Sequence, residues 1–342
     1  MWDLIMGFKA RLFSRLCGCR PCQGRAVVET PAPQEGDPSG EDIRRLQESV
    51  SSARSGFETL RLSRNMSLVS VREGDDHPAW FDPTRGRHYC LFCGSYSDMF
   101  EPFGQQKRPN VMCPTCRTAE RHRLLWLYLK ERTDFLVNSY KVLDIAPMDA
   151  IQNRFKSMAN IDYISVDLFA ANAMRKMDIC RMEFADDTFD AIFCYHVLEH
   201  VPDDIKAMKE MLRVLKPGGW AIIQVPLRTH RKVTVEGPDY TPEQRFKEFG
   251  QSDHVRDYGL DYGERLKSAG FDLTVDNLYA EVNPKIKDIC RLPEYDEPLF
   301  VCRKPLTGAL DSGRLRELGK RLEKELAYLL EQTAKLEGAA RG

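Results

Sequence analysis

Several absences narrow the field before any motif is considered. No apolar run in the 342 residues approaches the ~20 needed to cross a bilayer. The opening segment has no compact apolar core followed by a small-residue cleavage site, so secretion is not expected. Neither charge is in excess: 50 Lys and Arg stand against 51 Asp and Glu. No global field would gather nucleic acid or a membrane around the whole molecule, and any basic surface must be local. No long internal repeat is visible. What the sequence does hold is 42% hydrophobic residues, enough for one full domain with smaller additions, and eleven cysteines. Four of these form two C-x-x-C pairs and the rest are scattered, which favours metal binding in a reducing compartment over disulfides.

Composition divides the chain into five segments. In residues 1–27, Trp2, Ile5, Phe8, Leu12 and Leu16 fall near one helical face, with Lys9, Arg11 and Arg15 supplying charge. This basic amphipathic segment has three readings: a surface helix, a mitochondrial-type presequence, which Asp3 weakens, and a peripheral membrane contact through residues 1–22 with Cys17, Cys19 or Cys22 acylated. The expected location is cytoplasmic, with the mitochondrial and peripheral membrane locations as alternatives. Residues 28–76 mix Pro, Gly, Ser and both charges with little periodicity. They are expected to be a largely disordered linker with one short helix around Asp42 to Leu62. Residues 77–133 form a cysteine module with a connecting helix, and 134–306 the main domain. In 307–342, Leu315, Leu318, Leu322, Leu326 and Leu329 recur three and four apart, an amphipathic helix that packs on its own domain or pairs with another copy of itself.

In the main domain, KVLDI (141–145), DYISV (162–166), DAIFCY (190–195) and WAIIQVPL (220–227) are apolar runs of strand length. DAIQNRFKSM and DDIKAMKEMLRVLK between them have helical spacing. The alternation predicts an α/β fold with a parallel sheet and helices on both faces. FDLTVDNL (271–278) and PLFVCRK (298–304) follow with no evident helix between them, as an antiparallel pair closing the sheet.

Cys90 and Cys93 in YCLFCG precede Cys113 and Cys116 in MCPTC. Two such hooks converge as four thiolates around tetrahedral zinc, a closed and therefore structural Zn2+ site, with iron as the alternative metal. The next segment, TAERHRLLWLYLKERT, begins a helix with Thr118 as the expected N-cap. Arg121, His122 and Arg123 are its candidates for an anionic ligand against the default of a solvated face.

In an open parallel sheet, ligands bind beyond the carboxyl ends of the strands. That rule selects DIAPMD (144–149), the second-strand end at Asp167 and Leu168, MDIC with Asp178 and Ile179, and CYHV with Tyr195 and His196. A carboxylate at Asp167 accepts hydrogen bonds from both hydroxyls of a ribose, and Asp178 with Ile179 would border an adenine. VLDI, SVDL, MDIC, FADDTFDAIFCYHVLEHVPDD and VLKPGGWAIIQVPL, in that order and spacing over roughly residues 140–304, resemble a class I S-adenosylmethionine-dependent methyltransferase of the type 11 group. With the cysteine pairs in front, the chain is also similar to bacterial methyltransferases with an amino-terminal zinc ribbon. The resemblance implies a Rossmann-like seven-stranded sheet, mostly parallel with an antiparallel last strand, S-adenosyl-L-methionine as cofactor, and contacts from Asp144, Ala146, Asp167, Asp178, Ile179 and His196. One departure stands out: the family's first loop is glycine-rich, whereas Ala146-Pro147-Met148 occupies it here, and Pro147 has no N–H to offer a cofactor carboxylate.

The run HVLEH (196–200) also matches the H-x-x-E-H pattern of a class of zinc hydrolases, which needs both histidines on one continuous helix. Pro202 follows too soon for that helix. The segment is expected to run from strand to turn to a new helix at Pro202-Asp203-Asp204, with His196 near the cofactor and Glu199 and His200 structuring the turn. In SDHVRDYG, on the same edge, His254 is the candidate base, Arg256 the candidate partner of an acceptor carboxylate or phosphate, and Tyr258 a pocket wall. The acceptor class favoured is a small molecule, lipid or sugar. Nucleic acid is disfavoured, because no basic patch with interleaved aromatics exists. The alternative to an enzyme is a non-catalytic binding protein, which the missing loop glycines would suit.

Overall fold

The computed structural model describes residues 38–63, 66–104, 107–237, 239–293, 298–305 and 312–338, and residues 38–342 fall into one compact unit. The expectations for residues 1–27 lie outside the described residues. Seven strands form one sheet: β1 (Tyr140–Ile145), β2 (Ile161–Asp167), β3 (Arg175–Lys176), β4 (Phe189–Tyr195), β5 (Leu215–Gln224), β6 (Asp272–Asp276) and β7 (Leu299–Arg303). Their order is β6-β7-β5-β4-β1-β2-β3. The pairs β1·β2, β1·β4, β4·β5 and β2·β3 are parallel, and β7 runs antiparallel to both β5 and β6. This is the mostly parallel Rossmann-like methyltransferase sheet that the sequence implies. Around it lie helices α1 (Gly40–Ser63), α2 (Glu120–Arg132), α3 (Asp149–Lys156), α4 (Asp204–Val214) and α5 (Ser312–Gly338).

The strands read as continuous apolar runs because both faces are covered. On one face, Val142, Phe193, Trp220, Ile222 and Val301 pack with Leu124, Trp126 and Phe155. On the other, Leu143, Ile145, Ile192, Cys194, Ala221 and Ile223 pack with Met208, Met211 and Val214. Alternation along each strand thus serves two cores. Truncating a ring such as Phe193, 1% exposed, would cost ~3–5 kcal/mol. The first core also contains Cys90, Leu91, Phe92 and Cys113. The cysteine module, bounded in sequence at 77–133, therefore shares its interior with the main domain instead of closing on its own.

Strand β5 begins at Leu215, upstream of the expected Trp220. Gly218, at φ +75°, donates to the Lys304 carbonyl at 2.9 Å, and Lys304 donates to the Gly219 carbonyl at 3.0 Å, so the two glycines extend the ladder instead of only turning the chain. A Cβ on Gly219 would stand 2.8 Å from the Lys216 carbonyl oxygen.

Three expectations are corrected. First, the helix expected around Asp42 to Leu62 is present as α1, but it is packed into the fold and does not lie in a disordered linker: its Val50 and Phe57 pack on Leu322, Leu326 and Leu329 of α5. Farther along, Trp80 Nε1 donates to the Ser67 carbonyl at 2.8 Å, and Asn283 N–H to the Val69 carbonyl. Second, short helices over Leu278–Glu281 and Pro284–Ile289 separate β6 from β7. Third, the N-cap of α2 is Ala119, whose N–H donates to His122 Nδ1 at 3.1 Å, while the Thr118 hydroxyl is turned to sulfur. The C-terminal helix does pack on its own unit: Asn138 Nδ2 donates to the Arg321 carbonyl at 3.0 Å, and Arg54 pairs with Glu325.

Candidate functional site

Two turns carry the four thiols. Gly94 N–H donates to the Cys90 carbonyl at 2.8 Å and Arg117 N–H to the Cys113 carbonyl at 2.9 Å, closing one tight loop around each C-x-x-C pair. Each loop ends left-handed, at φ +77° for Gly94 and +66° for Arg117. The four Sγ atoms lie within 4.8 Å of one another, with Cys90 to Cys116 at 3.7 Å and Cys93 to Cys113 at 3.9 Å. Sulfurs placed tetrahedrally at ~2.3 Å from zinc stand about 3.8 Å apart, so the cluster fits that ion and is far too open for a disulfide. Thr118 Oγ1 lies 3.1 Å from Cys116 Sγ and Ser95 Oγ 3.0 Å from Cys93 Sγ, as outer-shell hydroxyls do around metal thiolates. Beneath the cluster, the fully buried Arg123 donates to the carbonyls of Thr118 (2.7 Å), Val111 (2.9 Å) and Cys290 (2.9 Å), and to Arg291. It ties the second cysteine turn to the loop after Ile289, and all three of its nitrogens are engaged by backbone carbonyls.

Just above, a cavity of about 220 Å³ opens between this module and the carboxyl ends of β1 and β4. Asp144, Ala146, Pro147 and Tyr195 line it from the sheet, and Arg121 and His122 from α2. Asp144 is buried, which pushes its carboxyl up to about 7, opposed by the Tyr163 hydroxyl donating to Oδ2 at 2.6 Å. Ala146 takes φ +55°, a left-handed conformation that glycine adopts freely and alanine does not. Its own N–H is spent on the Val166 carbonyl at 2.9 Å. Arg121 lies with its guanidinium carbon 5.7 Å from the Phe103 ring centre, and its buried Nε has no hydrogen-bond partner among the described residues. Burial, with Arg121 and His196 adding to it, holds His122 well below the usual imidazole range, hence neutral. A larger cavity, about 660 Å³, lies between α1, the end of α2 and α5, beside Leu136 and Val137 at the opposite, amino edge of the sheet.

Along the carboxyl edge, Asp167 accepts from Phe169 N–H and Ala170 N–H, both at 2.6 Å through Oδ1. The loop it shapes leaves Leu168, Phe169 and Met174 exposed, Phe169 by 87%. Asp178 is exposed and accepts from Cys180 N–H at 2.8 Å, beside the buried Ile179. His196 follows β4 at φ +55°, its N–H donating to the Gln224 carbonyl at 2.9 Å, and its buried Nε2 has no partner among the described residues.

The HVLEH run is a strand end and one 3₁₀ turn, Leu198–His200, before α4, whose N-cap Asp203 accepts from Lys206 N–H at 2.9 Å. The histidines do not share a helix, so the hydrolase geometry is absent. Arg256 and Tyr258 also depart from expectation. Arg256, 3% exposed, donates to the Leu198 carbonyl at 2.6 Å, the Pro202 carbonyl at 2.8 Å, Val201 and Glu236. Tyr258, fully buried, donates to Asp204 Oδ2 at 2.8 Å. Both hold the turn together and offer nothing to an acceptor. His254, 3% exposed, packs edge-on against His200 at 4.7 Å between ring centres.

The strand order, the cavity at the carboxyl ends of β1 and β4 and the carboxylate at the end of β2 are those of the class I methyltransferase fold. Residues 130–223 match the family described as a methyltransferase domain, so that this stretch carries the resemblance at the level of sequence as well. The chain is similar to cycloartenol-C-24-methyltransferase 1 of Oryza sativa subsp. japonica, 28% identical over 160 residues that span 46% of this chain and 42% of that protein. It is 36% identical to a demethylmenaquinone methyltransferase of Mycolicibacterium paratuberculosis over 92 residues, 24% of this chain and 40% of the relative. The matches thus span about two fifths of these curated relatives. Among solved structures, an S-adenosylmethionine dependent methyltransferase from Mesorhizobium loti is 18% identical, covering 49% of this chain and 90% of that one, with a TM-score of 0.35.

Proposed function

We propose that the protein transfers a methyl group from S-adenosylmethionine to a small-molecule or lipid-like acceptor. The observation that carries this reading is the cavity above β1, where the buried Asp144 carboxyl forms one wall and Arg121, whose Nε has no hydrogen-bond partner among the described residues, another. When bound, the cofactor supplies a methyl group on a positively charged sulfur, so the protein's tasks are alignment and exclusion of water. Asp144 would face the ammonium of the cofactor's methionine portion. Arg121 would hold its carboxylate, replacing the amide that Pro147 lacks, and Ala146 keeps the backbone turn that glycine makes elsewhere. Asp167 would take the ribose, Leu168, Asp178 and Ile179 the adenine, and Tyr195 and His196 the side nearest the acceptor. The exposed Phe169 and Met174 add apolar surface at that edge, and two relatives are named for cycloartenol and demethylmenaquinone, which supports an acceptor of this kind. Cys90, Cys93, Cys113 and Cys116 would hold a structural zinc ion that fixes the start of α2, and with it Arg121, over the cavity.

Titration calorimetry tests the reading. The zinc-loaded protein should bind one S-adenosylmethionine per chain, and Arg121→Ala should weaken binding ~10-fold or more, the worth of a lost charge-assisted hydrogen bond. Absence of any heat at millimolar cofactor, with the sheet intact by circular dichroism, would remove the enzyme reading.

A further inference from the structure

The turn after β4 and the segment that packs on it bring together side chains that the methyl-transfer reading does not use. Donor atoms of Glu199, His200 and His254 lie within 4.8 Å of one another. Glu199 is 2% exposed and His254 3%, and each has a buried polar atom, Glu199 Oε2 and His254 Nδ1, with no hydrogen-bond partner among the described residues. A buried carboxylate oxygen left without a partner costs several times an ordinary hydrogen bond, so such an atom calls for a ligand. The surroundings hold the set in place. Val255 N–H donates to the Glu199 carbonyl at 2.8 Å, and the buried Arg256 clamps the Leu198 and Pro202 carbonyls, locking the residues beside Glu199 and His254 to each other. His200 Nδ1 lies 3.1 Å from Asp253 Oδ2, the carboxylate-to-imidazole contact that orients histidines around metal ions.

The geometry points to a divalent metal site formed by Glu199, His200 and His254. Two imidazoles and one carboxylate suit a borderline or hard ion such as Mn2+, Fe2+ or Zn2+, and three protein donors leave positions open for water or a substrate oxygen. Ligand atoms around such an ion stand ~3–3.5 Å apart, a spacing within the 4.8 Å that the donor set spans. The site differs from an H-x-x-E-H centre because its second histidine comes from residue 254 and not from His196. His196 Nδ1 instead lies 3.5 Å from Glu199 Oε1, beside the set. It is also chemically opposite to the four-cysteine cluster, which prefers a soft ion and is closed.

The opposition provides the experiment. Mn2+ avoids thiolates, so the full chain holding a single equivalent of zinc, which the four thiolates take first, is titrated with Mn2+ in the absence of S-adenosylmethionine, by calorimetry and by the loss of free-Mn2+ resonance signal. One Mn2+ per chain is expected, with affinity falling at least ~10-fold in Glu199→Gln and in His200→Ala. His200 is the safeguard against misfolding, because its partly exposed side chain can be removed without opening a core. No binding up to millimolar Mn2+, or equal binding in the parent and both variants, overturns the site. Since no cofactor is present, this outcome is separate from success or failure of the methyl-transfer reading.

Discussion

Arg121 and Arg123 stand on the same first turn of α2 and meet opposite fates. Arg123 points under the cysteine turns, where each of its nitrogens meets a backbone carbonyl. Arg121 points over the cavity, where its Nε meets nothing among the described residues. The same division separates the floor of the module from its rim. On the floor, the sulfurs have hydroxyls beside them and Arg123 is saturated. At the rim, buried atoms of Arg121, His196, Glu199 and His254 lack hydrogen-bond partners among the described residues. A buried polar group that is fully paired contributes to the fold, and one left unpaired lowers stability unless something binds it. Around the cavity, full pairing marks the floor as structure and incomplete pairing marks the rim as the place where a ligand is expected. Elsewhere among the described residues Trp126 Nε1 and Arg321 Nε are also buried without a hydrogen-bond partner, so the rule holds for this region alone.

The comparison breaks most visibly at Arg123. Arg123→Met should strand several buried carbonyls and cost ~3–5 kcal/mol, as removal of one partner from a buried charged network does. Urea unfolding measures this. Arg121→Ala should leave the urea midpoint of the ligand-free protein unchanged or slightly raised, since its buried Nε is unpaired there, while weakening cofactor binding. If both substitutions were equally destabilising, the division between floor and rim would be lost.

A second test separates pH from packing at Asp144. Burial raises its folded pKa to about 7 from the usual 3.8. The folded chain therefore holds this proton over a window where the unfolded chain has released it. The stability it contributes is fully present below pH ~4 and is lost as pH rises through ~7. A shift of that size corresponds to up to about 4 kcal/mol. Asp144→Asn stays neutral, so its urea midpoint should vary less than the parent's between pH 5 and 8, with the variant gaining most at pH 8. Parallel curves would show that Asp144 is already ionised in the fold.

Much of this was legible in the sequence, and the reasons differ by region. The core strands were readable because a strand buried on both faces is a plain apolar run, as FDAIFCY shows. The thiol cluster was readable because each pair closes its own local turn. What stayed hidden depends on distant partners. The apolar stripe of α1 has meaning only beside Leu326 and Leu329, in the helix that also supplies Glu325, 271 positions beyond its partner Arg54. The burial of Arg256 and Tyr258 follows from the turn at Leu198–Asp204 that they brace, and SDHVRDYG alone does not reveal it. Likewise, HVLEH suggested a pairing of His196 with His200, whereas the fold completes the set with His254. Local spacing cannot show which third residue arrives from another segment.

The smallest expected effect isolates backbone from side chain at the rim. Ala146 holds φ +55°, where the resemblance leads one to expect glycine. The left-handed conformation costs an L-residue ~1–2 kcal/mol, whereas glycine adopts it without steric penalty but loses more chain entropy on folding. Relief of strain should outweigh that loss, so Ala146→Gly should stabilise the ligand-free protein by about 1 kcal/mol or less, read as a rise in the urea midpoint. Its only neighbouring change is the loss of a methyl group from the cavity wall, and Arg121 and Asp144 are untouched. Cofactor affinity should then stay within a few-fold of the parent's. A large gain in affinity would mean that the alanine methyl obstructs the cofactor and that the rim is compromised by this substitution, which would shift the explanation of the glycine-poor loop from compensation by Arg121 to loss of fit.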